Sequence, residues 1–452
     1  MSRPVISTAD LDGLRMAFGD RLLRGAAAAR FVRDASRALP AGEPLGVVVP
    51  RTTAEVSAAL AWANSHRVPV SVRGAGTGLS GGAVAFAAGL VVSTHALRST
   101  LEIDVPNRVA VADAGFLTKE IDDLALEHGL TYGPDPASHA VSTIGGNIAT
   151  NAGGLRCVRY GVTSDNVAGL EVVLADGSVV TAGGRNRKDV SGYNLTHLFV
   201  GSEGTLGIVT SAILRLRPVP LGERRFFTAA FGSAADAGRA VSRIMSGPVT
   251  PSALEYLDRR SLAHLPRHLD RDSAPDAAAL LAGEVHAPNA EELVQILRAC
   301  ATAEGAVSFG LDETSGLLDA RRQVGDALSA AGLWYSCDAA VPPGALGPML
   351  SSIEALEAES GIPISTVAHA GDGNLHATID RADVTEAEAS NVLGRLTSAA
   401  LALGGTITGE HGIGSLRHGW LERRFDPATL AAMRAVKSAL DPHGILSPGR
   451  GV

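Results

Sequence analysis

The chain has 452 residues, 46% of them apolar and 4% aromatic, with a formal net charge of −8 at pH 7. That length suggests ~2 to 3 domains and ample material for a large core. A mildly acidic balance without a Lys/Arg stripe argues against nucleic acid as the main partner, and the longest apolar run, residues 83–92, is far shorter than the ~18 residues of a membrane span. Cys157, Cys300 and Cys337 share no metal-ligand spacing and fit small buried hydrophobes in a reducing compartment. The first residues lack the apolar core of a signal peptide, so the expectation is a cytoplasmic protein without a transmembrane segment, peripheral membrane contact left open.

In chain order, residues up to about 41 read as mostly helical: Ser7-Thr8 is a plausible cap ahead of Leu11 and Leu14, and residues 22–32 are alanine-rich. Val47-Val-Val-Pro50 reads as a short buried strand. Thr52-x-x-Glu55 makes a capping box for a helix ending near His66. A strand over residues 68–73 then runs into the glycine loop Arg73-Gly-Ala-Gly-Thr-Gly-Leu-Ser-Gly-Gly82, and another strand begins at Leu90. Glycine lets the backbone turn with positive φ and expose successive N–H groups as a nest for phosphate, so diphosphate is the first ligand to consider. Gly76-x-Gly78-x-x-Gly81 also fits the dinucleotide fingerprint, with Glu102 near the place of a ribose-binding acid. That fingerprint opens a helix, however, and the stretch between Gly82 and Gly89 is shorter than the ~10 to 12 residues a crossover helix requires. The loop is expected to hold phosphate with backbone amides and hydroxyls; the plainer reading is a glycine-rich surface loop.

Residues 101–104 and 108–112 alternate like strands, and residues 115–129 carry apolar groups at helical spacing, closed by Gly129. A second loop system follows at Gly133-Pro-Asp-Pro136 and at residues 142–154, where hydroxyls, amides and glycines are too dense for core. Asp176-Gly177 signals a hairpin. A third glycine and hydroxyl loop, residues 199–209, leads into a strand, and Pro218-Val-Pro220 reads as a domain boundary. Beyond it come a strand from Arg225, a helix over 233–245, a strand over 248–254, a charged excursion over 259–276, a strand from Leu280 and a helix over 289–305. That order suggests an antiparallel sheet with helices on one face.

His369-Ala-Gly-Asp-Gly-Asn-Leu-His376 is the second informative stretch. With Asp372-Gly373 as a two-residue turn, Gly371 pairs with Asn374, Ala370 with Leu375 and His369 with His376. Their β-carbons then lie ~5 Å apart on one face, close enough for two imidazoles to share a divalent metal. A histidine pair alone also fits a structural core contact. Glu410 and His411, glycine-flanked in Gly404-Gly-Thr-Ile-Thr-Gly-Glu-His-Gly-Ile-Gly414 at the end of an apolar and threonine strand, offer a third ligand and turn the reading towards metal or catalysis.

Assembled, these segments resemble the FAD-linked oxidases and dehydrogenases of the vanillyl-alcohol-oxidase (PCMH-type) fold, specifically the D-lactate, glycolate and D-2-hydroxyglutarate dehydrogenase branch, from Pro50 to Arg450. The resemblance implies an α+β architecture. It comprises an N-terminal helical segment (1–41), a two-subdomain PCMH-type FAD-binding domain (42–218), an antiparallel-sheet cap or substrate domain (219–415) and a C-terminal helical segment (416–452) returning to the flavin. Residues implied to contact FAD are Arg73, Gly74, Ala75, Gly76, Thr77, Gly78, Leu79, Ser80 and Gly81 in the first loop. Pro134, Ser142, Thr143, Gly146, Asn147, Ala149, Thr150 and Asn151 follow from the second loop system, Gly161 from the segment after it, and Glu203, Gly204, Gly207, Ile208 and Val209 from the third. No histidine lies within residues 68–82, so the flavin is expected to be non-covalent.

By the same resemblance His369, His376 and Glu410 hold a divalent metal, usually zinc, and His411 is the catalytic histidine. Arg321 matches the arginine that grips a substrate carboxylate; a solvated helix charge is the alternative for it. A metal holding the hydroxyl and carboxylate of a 2-hydroxy acid would lower the hydroxyl pKa, His411 would take the proton, and the C2 hydride would move to flavin N5. Asp338 and Pro342 match the family frame, but D-2-hydroxyglutarate enzymes carry a lysine where Ser336 stands, and Gly325 and Thr378 replace a threonine and an asparagine. D-lactate, glycolate or a similar small-molecule D-2-hydroxy acid is therefore expected. The alternatives are D-2-hydroxyglutarate or D-malate, or a flavin subunit of a multisubunit glycolate oxidase. A transferase resembling alkylglycerone-phosphate synthase, or a sugar or aldonolactone oxidase, would lack the paired histidines with Glu410. A quinone, a cytochrome or an electron-transferring flavoprotein is expected as acceptor, and a homodimer as the assembly.

Overall fold

A computed structural model describes residues 11–265, 277–312, 314–333 and 335–452. The chain divides into two compact units, one of Met1–Gly153, Val162–Val219 and His411–Val452, the other of Gly154–Gly161 and Pro220–Glu410. The proposed Ser7-Thr8 cap and residues 266–276 of the 259–276 excursion fall outside the described residues. Among the described residues no helix is long and apolar enough to cross a membrane.

In the first unit the helix Asp12–Phe18 ends at Gly19, and the expected continuation through residue 32 is replaced by a strand, β1 (Leu22–Leu23), and a 3-10 helix, Gly25–Phe31. Gly19 and Gly25 have φ of 51° and 54°, which a helix cannot propagate through. Leu22 and Leu23 instead pair antiparallel with Val48 and Val47 of β2 (Gly46–Val48). With β3 (Val70–Arg73) and β4 (Leu90–Ser93) they form a sheet of order β1-β2-β4-β3, whose last three strands are parallel. The helix Thr53–His66 starts where Thr52 Oγ1 accepts Glu55 N at 3.2 Å. Its Val56, Ala59, Leu60 and Ala63, one face at i, i+3, i+4 and i+7, are buried with Val48, Val70, Leu90 and Val92. No helix forms between β3 and β4.

The second sheet of this unit is antiparallel. Its chain segments are β5 (Leu101–Asp104), β6 (Val109–Asp113), β8 (Val167–Val173), β9 (Val179–Gly183) and β10 (Ile208–Arg215), in the order β5-β6-β10-β8-β9. The short β7 (Leu130–Thr131) and β11 (Arg217–Pro218) pair separately. The Asp176-Gly177 hairpin forms, closed by Leu174 N to Ser178 O at 2.8 Å. The chain returns through the helix Pro427–Leu440, capped by Asp426 on Thr429 N at 2.9 Å. It ends in the first sheet: Val70 N donates to Ile445 O at 2.7 Å, and Ile445 and Leu446 are buried in its core.

The second unit is built on one antiparallel sheet. Its strands are β12 (Glu223–Phe231), β13 (Ala253–Asp258), β14 (Ala279–Ala287), β15 (Ala306–Asp312), β16 (Ser336–Ala340), β17 (Ile364–His369) and β18 (Asn374–Ile379), in the order β15-β12-β14-β13-β17-β18-β16. The helix Gly316–Ala330 buries Leu318, Val324 and Leu328 against Ala253, Leu257, Ala282 and Val367. Strand alternation puts Glu255 and His369 on that same face.

Asp258, at the end of β13, accepts Ser261 N and Thr366 N, each at 2.7 Å. Burial outweighs these bonds and raises its pKa to about 6. The folded chain therefore holds this proton more tightly than the unfolded chain. Its contribution to stability falls as pH rises from about 4 to about 6, by up to about 3 kcal/mol, and is level above. Asp258→Asn is expected to remove that part of the slope in urea unfolding followed across the same pH range. An unchanged slope would contradict the assignment.

Candidate active site

Arg73 closes β3 and turns its guanidinium back under the glycine loop, donating to Ala75 O at 3.1 Å and to Arg33 O, where burial pulls its pKa down. None of the backbone N–H groups of residues 75–82 donates to a described residue, so the loop keeps the amide donors a phosphate nest needs. Gly74 packs on the start of the helix Ile144–Thr150. A β-carbon there would lie 2.3 Å from Thr143 Oγ1, so the approach requires glycine. Within the expected second loop system this short helix is a correction: Thr143 Oγ1 caps it at Gly146 N, 3.3 Å, and Ile144 and Ile148, one turn apart, are buried in the core of the second sheet.

Gly146, Asn147, Ala149 and Thr150 lie on that helix, and Asn151 ends it in the left-handed conformation. Ala149 O accepts Glu203 N at 2.7 Å, which seats Glu203 and Gly204 against the helix end, just ahead of Gly207, Ile208 and Val209 at the start of β10. Pro134 and Ser142 are buried, and Ser142 Oγ has no hydrogen-bond partner among the described residues. Thr77, Gly78 and Leu79 form the outer part of the first loop, Leu79 being exposed. Gly161 belongs to the second unit, where it ends the short helix Cys157–Tyr160.

His411 opens the last segment of the first unit, and its carbonyl accepts Ser80 Oγ at 2.9 Å. Both carboxylate oxygens of Glu203 accept amides of the same segment, Ile413 N and Gly414 N at 2.7 Å each. Burial pushes the Glu203 carboxyl above its usual range against the pull of these amides. Two of the segments expected to bind FAD thus brace the histidine loop.

In the second unit His369 lies opposite Asn374, and His376 opposite Val367. The expected register is therefore displaced by two residues, the turn taking up residues 370–373. A two-residue turn of the preferred type needs positive φ at both central positions, and of Asp372 and Gly373 only Gly373 has it. A shift of two residues preserves the face, so the histidines still meet, edge to face with ring centroids 5.5 Å apart.

His369 Nδ1 lies 2.9 Å from Glu255 Oε1, and its Nε2 faces Glu410 Oε1 at 3.5 Å. His376 Nε2 faces the same oxygen at 3.2 Å, and the three ligand atoms fall within 4.8 Å of one another. Burial works against charge on His369, but the Glu255 and Glu410 carboxylates overcome it and raise its pKa to about 10. Burial likewise opposes charge on Glu410, yet the two histidines hold its pKa well below the usual carboxylate range. Two imidazoles and a carboxylate converging in this way form a donor set that suits zinc.

Glu410 is delivered by an irregular segment, not the expected strand: Thr406 makes only an isolated bridge to Ala340. The fully buried Asp338 organises it, accepting Thr408 Oγ1 at 2.6 Å, Asn374 Nδ2 at 3.1 Å and Glu410 N at 3.3 Å. Gly409 is required by that closeness, since a β-carbon would lie 1.7 Å from Asn374 Nδ2. Arg321 is buried, not a solvated helix charge. Its Nε lies 3.0 Å from Glu255 Oε2 but off the hydrogen-bond direction, so the contact is an ion pair, and its Nη2 has no hydrogen-bond partner among the described residues. Motif reading passed over Glu255. The available signal was its inward position between Ala253 and Leu257 in an alternating strand.

The solved structure of p-cresol methylhydroxylase with substrate bound superposes with a TM-score of 0.78 at 17% identity, over 98% of this chain and 97% of that one. The architecture is thus that of the PCMH-type flavoproteins, α+β with a separate antiparallel-sheet unit. The family described as FAD binding domain matches residues 44–183, and that described as FAD linked oxidases, C-terminal domain, matches residues 222–450. Glycolate oxidase subunit GlcD of Bacillus subtilis (strain 168) is 40% identical over 90% of this chain and 88% of its own length. D-lactate dehydrogenase of Archaeoglobus fulgidus is 37% identical over 91% and 92%. The chain belongs to the FAD-linked oxidase family; it is an FAD-binding oxidoreductase of the branch that holds these two relatives.

Proposed function

We propose that the chain oxidises a short D-2-hydroxy acid, such as D-lactate or glycolate, to the 2-oxo acid, with non-covalent FAD as oxidant and a divalent metal, zinc foremost, orienting the substrate. The observation that carries this reading is the convergence of His369 Nε2, His376 Nε2 and Glu410 Oε1, with Glu255 behind His369. Three protein ligands leave further positions for a hydroxyl and a carboxylate, as in catalytic metal sites. For FAD, the unpaired amides of residues 75–82 and the unpartnered Ser142 Oγ suit a diphosphate. When bound, the metal supplies Lewis acidity at the substrate hydroxyl and the flavin accepts a hydride.

The chain's own groups do the rest. Arg321 offers Nη2 to the substrate carboxylate. His411, next in the chain to Glu410, takes the hydroxyl proton. Asp338 keeps Glu410 in place through the bonds to residues 408–410. Ser336, where a larger diacid would need a cation, accepts a hydrogen bond from Thr378 Oγ1 at 3.1 Å, which favours a short or apolar substrate. The names of the two relatives, glycolate oxidase subunit and D-lactate dehydrogenase, agree with that class.

The test is an anaerobic titration of the metal-replete protein with D-lactate, L-lactate, glycolate, D-malate and D-2-hydroxyglutarate, following the flavin band. Bleaching by D-lactate or glycolate and not by L-lactate is expected. A flavin bleached by none of them overturns the substrate class, and a preference for D-2-hydroxyglutarate overturns the short-acid assignment.

A further inference from the structure

Glu255 lies on β13 directly opposite His369 on β17 and is wholly shielded from solvent. Burying a carboxylate carries a desolvation penalty of several kcal/mol, and replacing a buried ion pair by apolar residues of similar volume is often neutral or stabilising. Packing between the strand and the helix Gly316–Ala330 therefore gives no reason for an acid here. The two oxygens have separate tasks: Oε1 stands 2.9 Å from His369 Nδ1, and Oε2 stands 3.0 Å from Arg321 Nε. One buried side chain touches both a candidate metal ligand and the candidate substrate-binding arginine.

We propose that Glu255 is a positioning residue shared by His369 and Arg321, so that metal affinity and substrate affinity both depend on this single carboxylate. The inference rests on the metal and substrate reading above. By accepting the Nδ1 proton of His369, Glu255 leaves Nε2, which faces Glu410 Oε1 at 3.5 Å, as the nitrogen that would take the metal. By pairing with Arg321 at Nε, it fixes a guanidinium whose Nη2 has no hydrogen-bond partner among the described residues and so can receive an anion. Glutamine keeps the volume but loses this double function, because its amide nitrogen would repel either the His369 Nδ1 proton or Arg321 Nε.

The experiment compares wild type with Glu255→Gln, both full-length and FAD-loaded. Co2+ affinity is read by equilibrium dialysis, and KM and kcat for D-lactate are measured at saturating metal. Glu255→Gln is expected to bind Co2+ about 10- to 100-fold more weakly, the usual effect of losing an outer-shell partner, and to show about a tenfold higher KM with a smaller change in kcat. A purely structural role would lower the melting temperature without moving KM at saturating metal, and that result overturns the proposal. A Glu255→Gln protein matching wild type in Co2+ affinity also overturns it. Wild type that takes up no Co2+ overturns the metal reading and this role together, which separates the two failures. Should the glutamine variant not fold, Glu255→Asp retains the charge and withdraws it by one methylene. Both quantities are then expected to move in the same direction by smaller factors, and wild-type values of both overturn the proposal.

Discussion

His376→Ala is expected to empty the proposed metal site and to lower kcat/KM for the proposed D-2-hydroxy acid substrate about a thousandfold, or about 4 kcal/mol of transition-state stabilisation, while FAD stays bound. Removing one of three converging ligands leaves His369 and Glu410, too few to fix a catalytic cation. His376 is the cleaner ligand to remove. Its side chain retains 13% exposure, and its closest carboxylate besides Glu410 is Asp338 at 3.7 Å, which has three other donors to satisfy it. His369→Ala should abolish metal binding equally but also strip Glu255 of its hydrogen-bond partner, and breaking a buried charged pair costs about 3–5 kcal/mol. The pair of variants therefore separates metal loss from stability loss. Metal content by elemental analysis, turnover with an artificial acceptor and a thermal melt give the three readouts. A His376→Ala protein that keeps wild-type metal content and turnover removes the basis for the site.

Local chemistry was legible wherever a residue type forces a geometry. The glycine loop after Arg73, the Thr52 cap and the Asp176-Gly177 hairpin all follow from such residues. The face shared by His369 and His376 was legible too, because alternation depends on parity, whereas their register depends on which turn residues accept positive φ. What remained hidden was decided by distant partners. Ile144-Gly-Gly-Asn-Ile-Ala-Thr150 has poor helix propensity and becomes helical because Ile144 and Ile148 find a core. Residues 22–23 leave the helical pattern because Val47 and Val48 lie alongside them. Glu255 is one acid in an ordinary strand until the fold sets His369 and Arg321 on either side of it. The residues proposed to bear function sit in motifs, whereas Glu255, proposed to position two of them, sits in none.

Gly74→Ala is expected to deprive the chain of its flavin. The new β-carbon would sit 2.3 Å from Thr143 Oγ1, and neither side yields freely. Gly74 follows directly on β3, where Arg73 is paired with Ser93, and Thr143 starts a helix anchored by buried Ile144 and Ile148. The loop must therefore swing outwards and carry with it the amides of residues 75–82. FAD affinity should fall at least about a hundredfold, near 3 kcal/mol, so that the protein purifies largely as apoprotein with its sheets intact. The structure also supplies the compensation. Without the Thr143 hydroxyl, the nearest atoms to the added β-carbon lie in Gly146 at 3.6 Å, an ordinary contact. Gly74→Ala combined with Thr143→Ala should then regain flavin, even though the lost cap on Gly146 N costs about 0.5–1 kcal/mol of stability. Flavin-to-protein absorbance ratios for wild type, both single variants and the double variant complete the cycle, and strong non-additivity is the expected sign of contact between the two sites. Equal flavin loss in the single and double variants would mean that the close approach of loop and helix is not what holds the cofactor.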